Sequence, residues 1–256
     1  MSNLGIFGDS YTHVPEHRLN DKTRNDLSWV EIVASNLKTK SQNFSLSGTS
    51  IYFAFEKFID NYKDYDTIIF SYSSHIRYPY FKQGFQFLSN IGTHGKHVID
   101  NTTGWTEEHK KVAKNFLEVH PYIFSERLQL YLYQKIFNDV NDLCYKNNIK
   151  IINIMSFENS NFLIDISERK GVCVTSLHEV SIKETTTQLS NSNKLSYNLR
   201  NNVSVDPRFN HLNKINNQIL AKVVLDNIDT KNIIDFSKVD DLTYDDNLLE
   251  YNYAFY

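Results

Sequence analysis

The 256 residues include 27 basic and 30 acidic side chains, a formal net charge of −3 and 41% hydrophobic residues. That length suits one large domain or at most two small ones, and the near balance of charge gives no basic face of the kind that holds nucleic acid. No apolar run approaches the roughly 20 residues of a membrane span, and Gly8-Asp9 interrupts the first apolar stretch too early for a signal peptide.

The chain is therefore expected to be cytoplasmic, with no nucleic-acid or membrane partner; association with a virus particle and the oligomeric state stay open. Cys144 and Cys173 have no metal-like spacing and are expected to be buried, reduced thiols. Leu4 to Phe7 reads as a short buried strand ending at Gly8. LSWVEIVASNL, residues 27–37, has helical spacing, with Asp26 or Ser28 available as a cap. Asn43 to Leu46 reads as a second strand stopped by Ser47-Gly48, IYFAFEKFI at 51–59 as a helix, and TIIF at 67–70 as a third strand. The order βαβαβ predicts a parallel sheet with helices on both faces.

Residues 76–120, rich in Tyr, Phe, His and Gly, read as an insertion with its own short helices. Ser125 to Tyr145 predicts a long amphipathic helix, and KIINIM at 150–155 a fourth strand. A fifth strand is expected near 162–164 or 172–175. Residues 183–204 are polar and read as an exposed loop. A closing helix is predicted over Leu212 to Leu225, with Leu212, Ile215, Ile219 and Val223 on one face. The expected organisation is one α/β/α three-layer domain over 1–230, with flavodoxin-like strand order and a tail at 231–256 of unknown packing.

Three stretches carry candidate chemistry. In FGDSYTH, Ser10 follows the first strand; taken alone, Asp9 and Ser10 suit a turn that caps backbone N–H groups as well as a nucleophile. SLSGTS at 45–50 follows the second strand, and DPRFNHLN at 206–213 precedes the last helix. Asp206 before Pro207 suits turn formation as well as catalysis. In a parallel sheet all these loops gather at the carboxyl edge, where ligands bind. A serine hydroxyl needs a base to take its proton, the imidazole of His211 is one, and a carboxylate such as Asp206 would fix the imidazole's tautomer. Backbone N–H groups would stabilise the oxyanion.

GIFGDSYTH resembles the first block of the SGNH/GDSL hydrolases, whose nucleophile sits in a Gly-Asp-Ser turn. SLSGTS resembles their second block and DPRFNHLN their last, in the family's order. The resemblance implies an esterase without cofactor or metal. Ser10 would be the nucleophile, His211 the general base, and Asp206 the triad acid. The oxyanion donors would be the Ser10 and Gly48 N–H groups with His75, and the substrate contacts Asp9, Arg77 and Tyr78. The implied substrate is a small acyl ester such as an O-acetylated carbohydrate.

Two departures stand out. His75 falls where the family has an asparagine, and Arg208 where it has the acid, which leaves Asp206 five residues ahead of the histidine. They keep an idle glycan- or protein-binding module in view; an O-acyltransferase using the same residues is a further alternative. His13 and His17 read as lone surface histidines; His94 and His97, with only Asp100 nearby, are poorly spaced for a metal. The aromatic run Tyr78, Tyr80, Phe81, Phe85 and Phe87, with Trp105, reads as a satellite core, with a substrate wall as the functional alternative.

Overall fold

The computed structural model describes residues 3–14, 27–47, 49–74, 125–156, 165–191 and 212–244, the backbone of 78–82 and 85–89, and single positions between 106 and 118. Side chains are described up to Glu184 in the helix that ends at Asn191.

The strands are β1 (Asn3–Phe7), β2 (Lys40–Asn43), β3 (Thr67–Tyr72), β4 (Tyr78–Lys82), β5 (Phe85–Ser89), β6 (Lys150–Met155), β7 (Val172–Thr175) and β8 (Ile233–Asp235). The helices are α1 (Trp29–Leu37), α2 (Ile51–Asn61), α3 (Glu126–Lys146), α4 (Leu177–Asn191) and α5 (Lys214–Asn227). Six strands form one sheet in the order β2-β1-β3-β6-β7-β8, and every pairing in it is parallel. The first five follow the expected flavodoxin-like order.

Alternation along the strands sends side chains to two cores. Leu4, Ile6, Ile69, Ile152, Ile154, Val172 and Val174 pack with Trp29, Val30 and Val33 of α1, Leu177 and Val180 of α4, and Leu220 and Val224 of α5. Phe7, Ile68, Phe70, Tyr72, Ile151, Met155 and Cys173 face the other way, onto Ile51, Ala54 and Phe58 of α2 and Tyr133, Phe137 and Val140 of α3. Helices cover both faces, so the architecture is the three-layer α/β/α expected from the sequence.

The local reasons are legible. Ser28 opens α1, and Glu31 folds back so that its carboxylate accepts from the Ser28 N–H at 2.9 Å and hydroxyl at 2.8 Å, a capping arrangement. Lys38 ends α1 in the left-handed region, φ 51°. Gly171 precedes β7 because a Cβ there would come within 1.9 Å of the Ile151 carbonyl oxygen.

Three expectations are corrected, and one of two alternatives is selected. The second strand is Lys40–Asn43 rather than 43–46: it is a mostly exposed edge strand, so its polar residues gave no apolar signal, and Phe44 lies beyond it, stacked on Phe7 at 5.0 Å between ring centroids. The fifth strand is Val172–Thr175, the second of the two alternatives. Residues 183–191 continue α4 instead of starting a loop. The closing helix buries Asn216, Asn217, Leu220, Ala221 and Val224, whereas Ile215 is 42% exposed; two buried asparagines disguised its inner face.

In the insertion, helical positions occur between 107 and 118, and an antiparallel hairpin, β4-β5, was missed. Beyond residue 230, β8 extends the sheet beside β7 and Phe236 is fully buried. Cys144 and Cys173 are free and buried, and burial pushes both thiols up from 9.0 to about 12. No helix among the described residues is long and apolar enough to cross a membrane.

Candidate active site

The chain runs from β1 out to β2 and back across β1 to β3, so the strand order reverses between β1 and β3. At such a switch point the loops diverge and leave a crevice outside the carboxyl ends of the strands. Gly8, Asp9 and Ser10 leave β1 at this place.

Gly8 lies directly against β3. A Cβ on it would meet the Ser71 Cβ at 2.5 Å and Thr12 Oγ1 at 2.6 Å, so glycine is what lets the turn sit between the strands. The Asp9 carbonyl accepts from the N–H groups of Thr12 at 3.1 Å and His13 at 2.9 Å, which closes one helical turn with Ser10 at its start. Ser10 is half-buried. The Asp9 carboxylate is fully buried, and its Oδ1 accepts from the Tyr11 N–H at 3.1 Å, the Ser71 hydroxyl at 3.2 Å and the Ser156 hydroxyl at 3.5 Å. Ser71 and Ser156 are hydrogen-bonded to each other as well. Asp9 therefore holds the turn from beneath.

The loop after β2 is tied to the same turn. Asn43 Nδ2 donates to the Thr12 carbonyl at 2.7 Å, and Thr12 Oγ1 donates to Ser45 Oγ at 2.8 Å. The Leu46 N–H donates to the Gly8 carbonyl at 3.3 Å, and Thr49 Oγ1 reaches that carbonyl at 3.3 Å and the Leu46 carbonyl at 2.7 Å. The loop after β3 joins them: Ser73 Oγ donates to the Thr49 carbonyl at 2.9 Å, and Tyr133 OH to the Ser73 carbonyl at 2.8 Å. The exits of β1, β2 and β3 are thus one hydrogen-bonded unit.

His13 is not a lone surface residue: its Nδ1 is 2.8 Å from Ser47 Oγ, beside the SLSGTS loop. Tyr11 OH is 3.0 Å from Nδ1 of His178, in the first turn of α4. Neither contact has a motif in the sequence; only the topology brings these elements to one edge.

A second path runs from this turn to the start of α5. Trp29 Nε1 donates to the Tyr11 carbonyl at 2.8 Å, and the Trp29 N–H donates to Asn217 Oδ1 at 3.0 Å. Asn217 Nδ2 in turn donates to the carbonyls of Leu212 at 2.9 Å and Asn213 at 3.0 Å. Trp29, Leu212, Asn213 and Asn217 are all buried. Three hydrogen bonds therefore connect the residue after Ser10 with the residue after His211.

Of the candidate residues, Ser10 and Asp9 lie in the turn that leaves β1 at the switch point of the sheet, Ser10 half-buried and Asp9 buried beneath it. Gly48, His75, Arg77, Asp206 and His211 lie outside the described residues, as do His17, His94, His97, Asp100 and Trp105; Tyr78 lies in β4, where the backbone alone is described.

The sequence matches no protein-family model and no curated protein. Solved structures to which the chain is similar include an acetyl xylan esterase, AlAXEase, at 15% identity and TM-score 0.38, covering 88% of this chain and 98% of that one. Another is a GDSL-like lipase from Parabacteroides merdae, at 13% identity and TM-score 0.33, covering 61% and 60%. A third is described as a lipolytic protein of the G-D-S-L family from Desulfitobacterium hafniense, at 11% identity and TM-score 0.31, covering 60% and 59%. The chain spans about three fifths of the length of the last two.

Proposed function

We propose that the chain is a serine ester hydrolase that works through an acyl-enzyme on a small acyl ester. Ser10 attacks the ester carbonyl while His211 takes its proton; His211 then protonates the leaving alcohol and activates the water that releases the acid. Asp206 orients His211. The N–H groups of Ser10 and Gly48, with His75, stabilise the oxyanion, and Arg77 and Tyr78 contact the substrate. No cofactor enters these steps.

The observation that carries this reading is the buried connection Tyr11–Trp29–Asn217–Leu212. It ties the turn of Ser10, at the switch point of the sheet, to the segment that continues from His211. The motifs GDS, SGTS and DPRFNHLN add the chemistry: GDS follows β1, and the last two residues of DPRFNHLN, Leu212 and Asn213, lead into α5. The substrate class, an O-acetylated carbohydrate, rests on the motif resemblance and on the aromatic sequence of the β4-β5 hairpin.

Hydrolysis of p-nitrophenyl acetate by the full chain tests it. We expect saturable turnover that falls by at least about 10⁴-fold in Ser10→Ala and in His211→Ala, since members of such a unit fail together. Turnover unchanged in Ser10→Ala would contradict the proposal. Product formed on an added sugar acceptor at the expense of free acetate would identify acyl transfer by the same residues.

A further inference from the structure

A carboxylate with no water around it is expensive to bury, and it persists only where donors surround it. Glu184, on α4, is fully buried. Its Oε2 accepts from the main-chain N–H of Asn213 at 2.8 Å, and its Oε1 accepts from Nδ2 of Asn216. Both partners belong to the start of α5: Asn213 is its N-cap, with its side chain accepting from the Asn216 N–H at 2.7 Å. Asn216 and Asn213 are held from the far side by Thr243, whose carbonyl accepts from both amides at 2.8 Å.

We propose that Glu184 is a positioning residue for the general base, an inference that rests on the esterase reading above. At most two residues of chain, about 7 Å when extended, separate the Asn213 clamp from residue 211. The same helix reaches the nucleophile: six residues, or about 9 Å of helix, before Glu184, His178 meets the hydroxyl of Tyr11, next to Ser10. α4 is thus a strut with one contact on the nucleophile's turn and the other on the segment that continues from His211. Asn217 and Trp29 close the circuit from the opposite side. The carboxylate supplies an acceptor oxygen to each of the Asn213 N–H and the Asn216 amide. A glutamine of the same shape has one oxygen and would set an N–H against one of the donors. Misplacement of a catalytic group by about 1 Å loses on the order of 100-fold in rate.

The test measures kcat and KM for p-nitrophenyl acetate, the rate of fluorophosphonate labelling per folded molecule, and Tm. In Glu184→Gln we expect kcat and the labelling rate to fall by about 10- to 100-fold with KM within twofold. Glu184→Asp keeps the charge but withdraws it by one methylene; should Glu184→Gln not fold, it serves in its place, with the same loss expected.

Wild-type kcat per folded molecule in Glu184→Gln or Glu184→Asp, alongside dead Ser10→Ala and His211→Ala, overturns the positioning role and leaves the esterase standing. A lower Tm with unchanged labelling rate per folded molecule overturns it too, since that is what a purely structural carboxylate does. Wild-type protein that neither hydrolyses the ester nor takes the label removes the esterase and, with it, this role.

Discussion

Gly8 has no room for a side chain, because Ser71 and Thr12 occupy the places a Cβ would take. Gly8→Ala is expected to lower stability by about 1–3 kcal/mol, the range for forcing extra atoms into a packed site, measured by urea unfolding. It should also lose esterase activity beyond the fraction unfolded, because the turn of Ser10 would move. The thiols make a second residue-scale prediction. Burial raises Cys144 and Cys173 to about 12, and Tyr72 is raised well above its ordinary value by burial and by these neighbouring thiols and Tyr133. Each raised group keeps its proton when folded and loses it when unfolded, so the stabilisation is complete below pH 9 and is lost as pH rises towards 12. The unfolding free energy should therefore fall by roughly 1.4 kcal/mol per pH unit for each thiol in that window. Neither thiol should react with Ellman's reagent until the chain unfolds. At this scale the turn after β1 is legible from Gly8-Asp9-Ser10, whereas the surroundings of Asp9 are not: Ser71 and Ser156, which donate to its carboxylate, lie more than 60 residues away in sequence.

The elements were legible where a core face is apolar. β6 was found at Lys150–Met155 and α2 within two residues of its end, since buried strands and helices must carry continuous or periodic apolar residues. They were illegible where packing uses polar groups. α5 turns Asn216 and Asn217 inward, and α4 turns Glu184 inward, because these side chains satisfy one another and the backbone of a neighbouring element; periodicity of hydrophobic residues cannot register such a face. β2 was displaced for the converse reason, as an edge strand needs no apolar side chains to be held by main-chain bonds. In the other layer, Phe58 is fully buried on α2 and meets Phe7 and Phe70 edge-on, each at 5.7 Å between ring centroids. Phe58→Ala is expected to cost about 3–5 kcal/mol, read as a shift of the urea midpoint with the slope unchanged.

At the scale of the whole molecule, one strand-order reversal organises the candidate site. It lies between β1 and β3, and the exits of the first three strands are laced together beside it. α1 and α5, on one face, bring the far end of the chain back to the N-terminal turn through Trp29 and Asn217. This convergence of residues about 200 positions apart was foreseeable from the βαβαβ order, since parallel connections return every strand exit to the same edge. The hydrogen-bonded route was not, for it depends on buried amides and an indole that no motif marks. The central claim is that Ser10 is an activated nucleophile, and a fluorophosphonate probe reads it directly: intact-mass analysis of the labelled full chain, followed by mapping of the modified peptide. The account predicts one adduct per chain, on Ser10, forming at least about 100-fold more slowly in His211→Ala. A folded wild-type chain that stays unlabelled, or an adduct on another residue with Ser10 untouched, would contradict it.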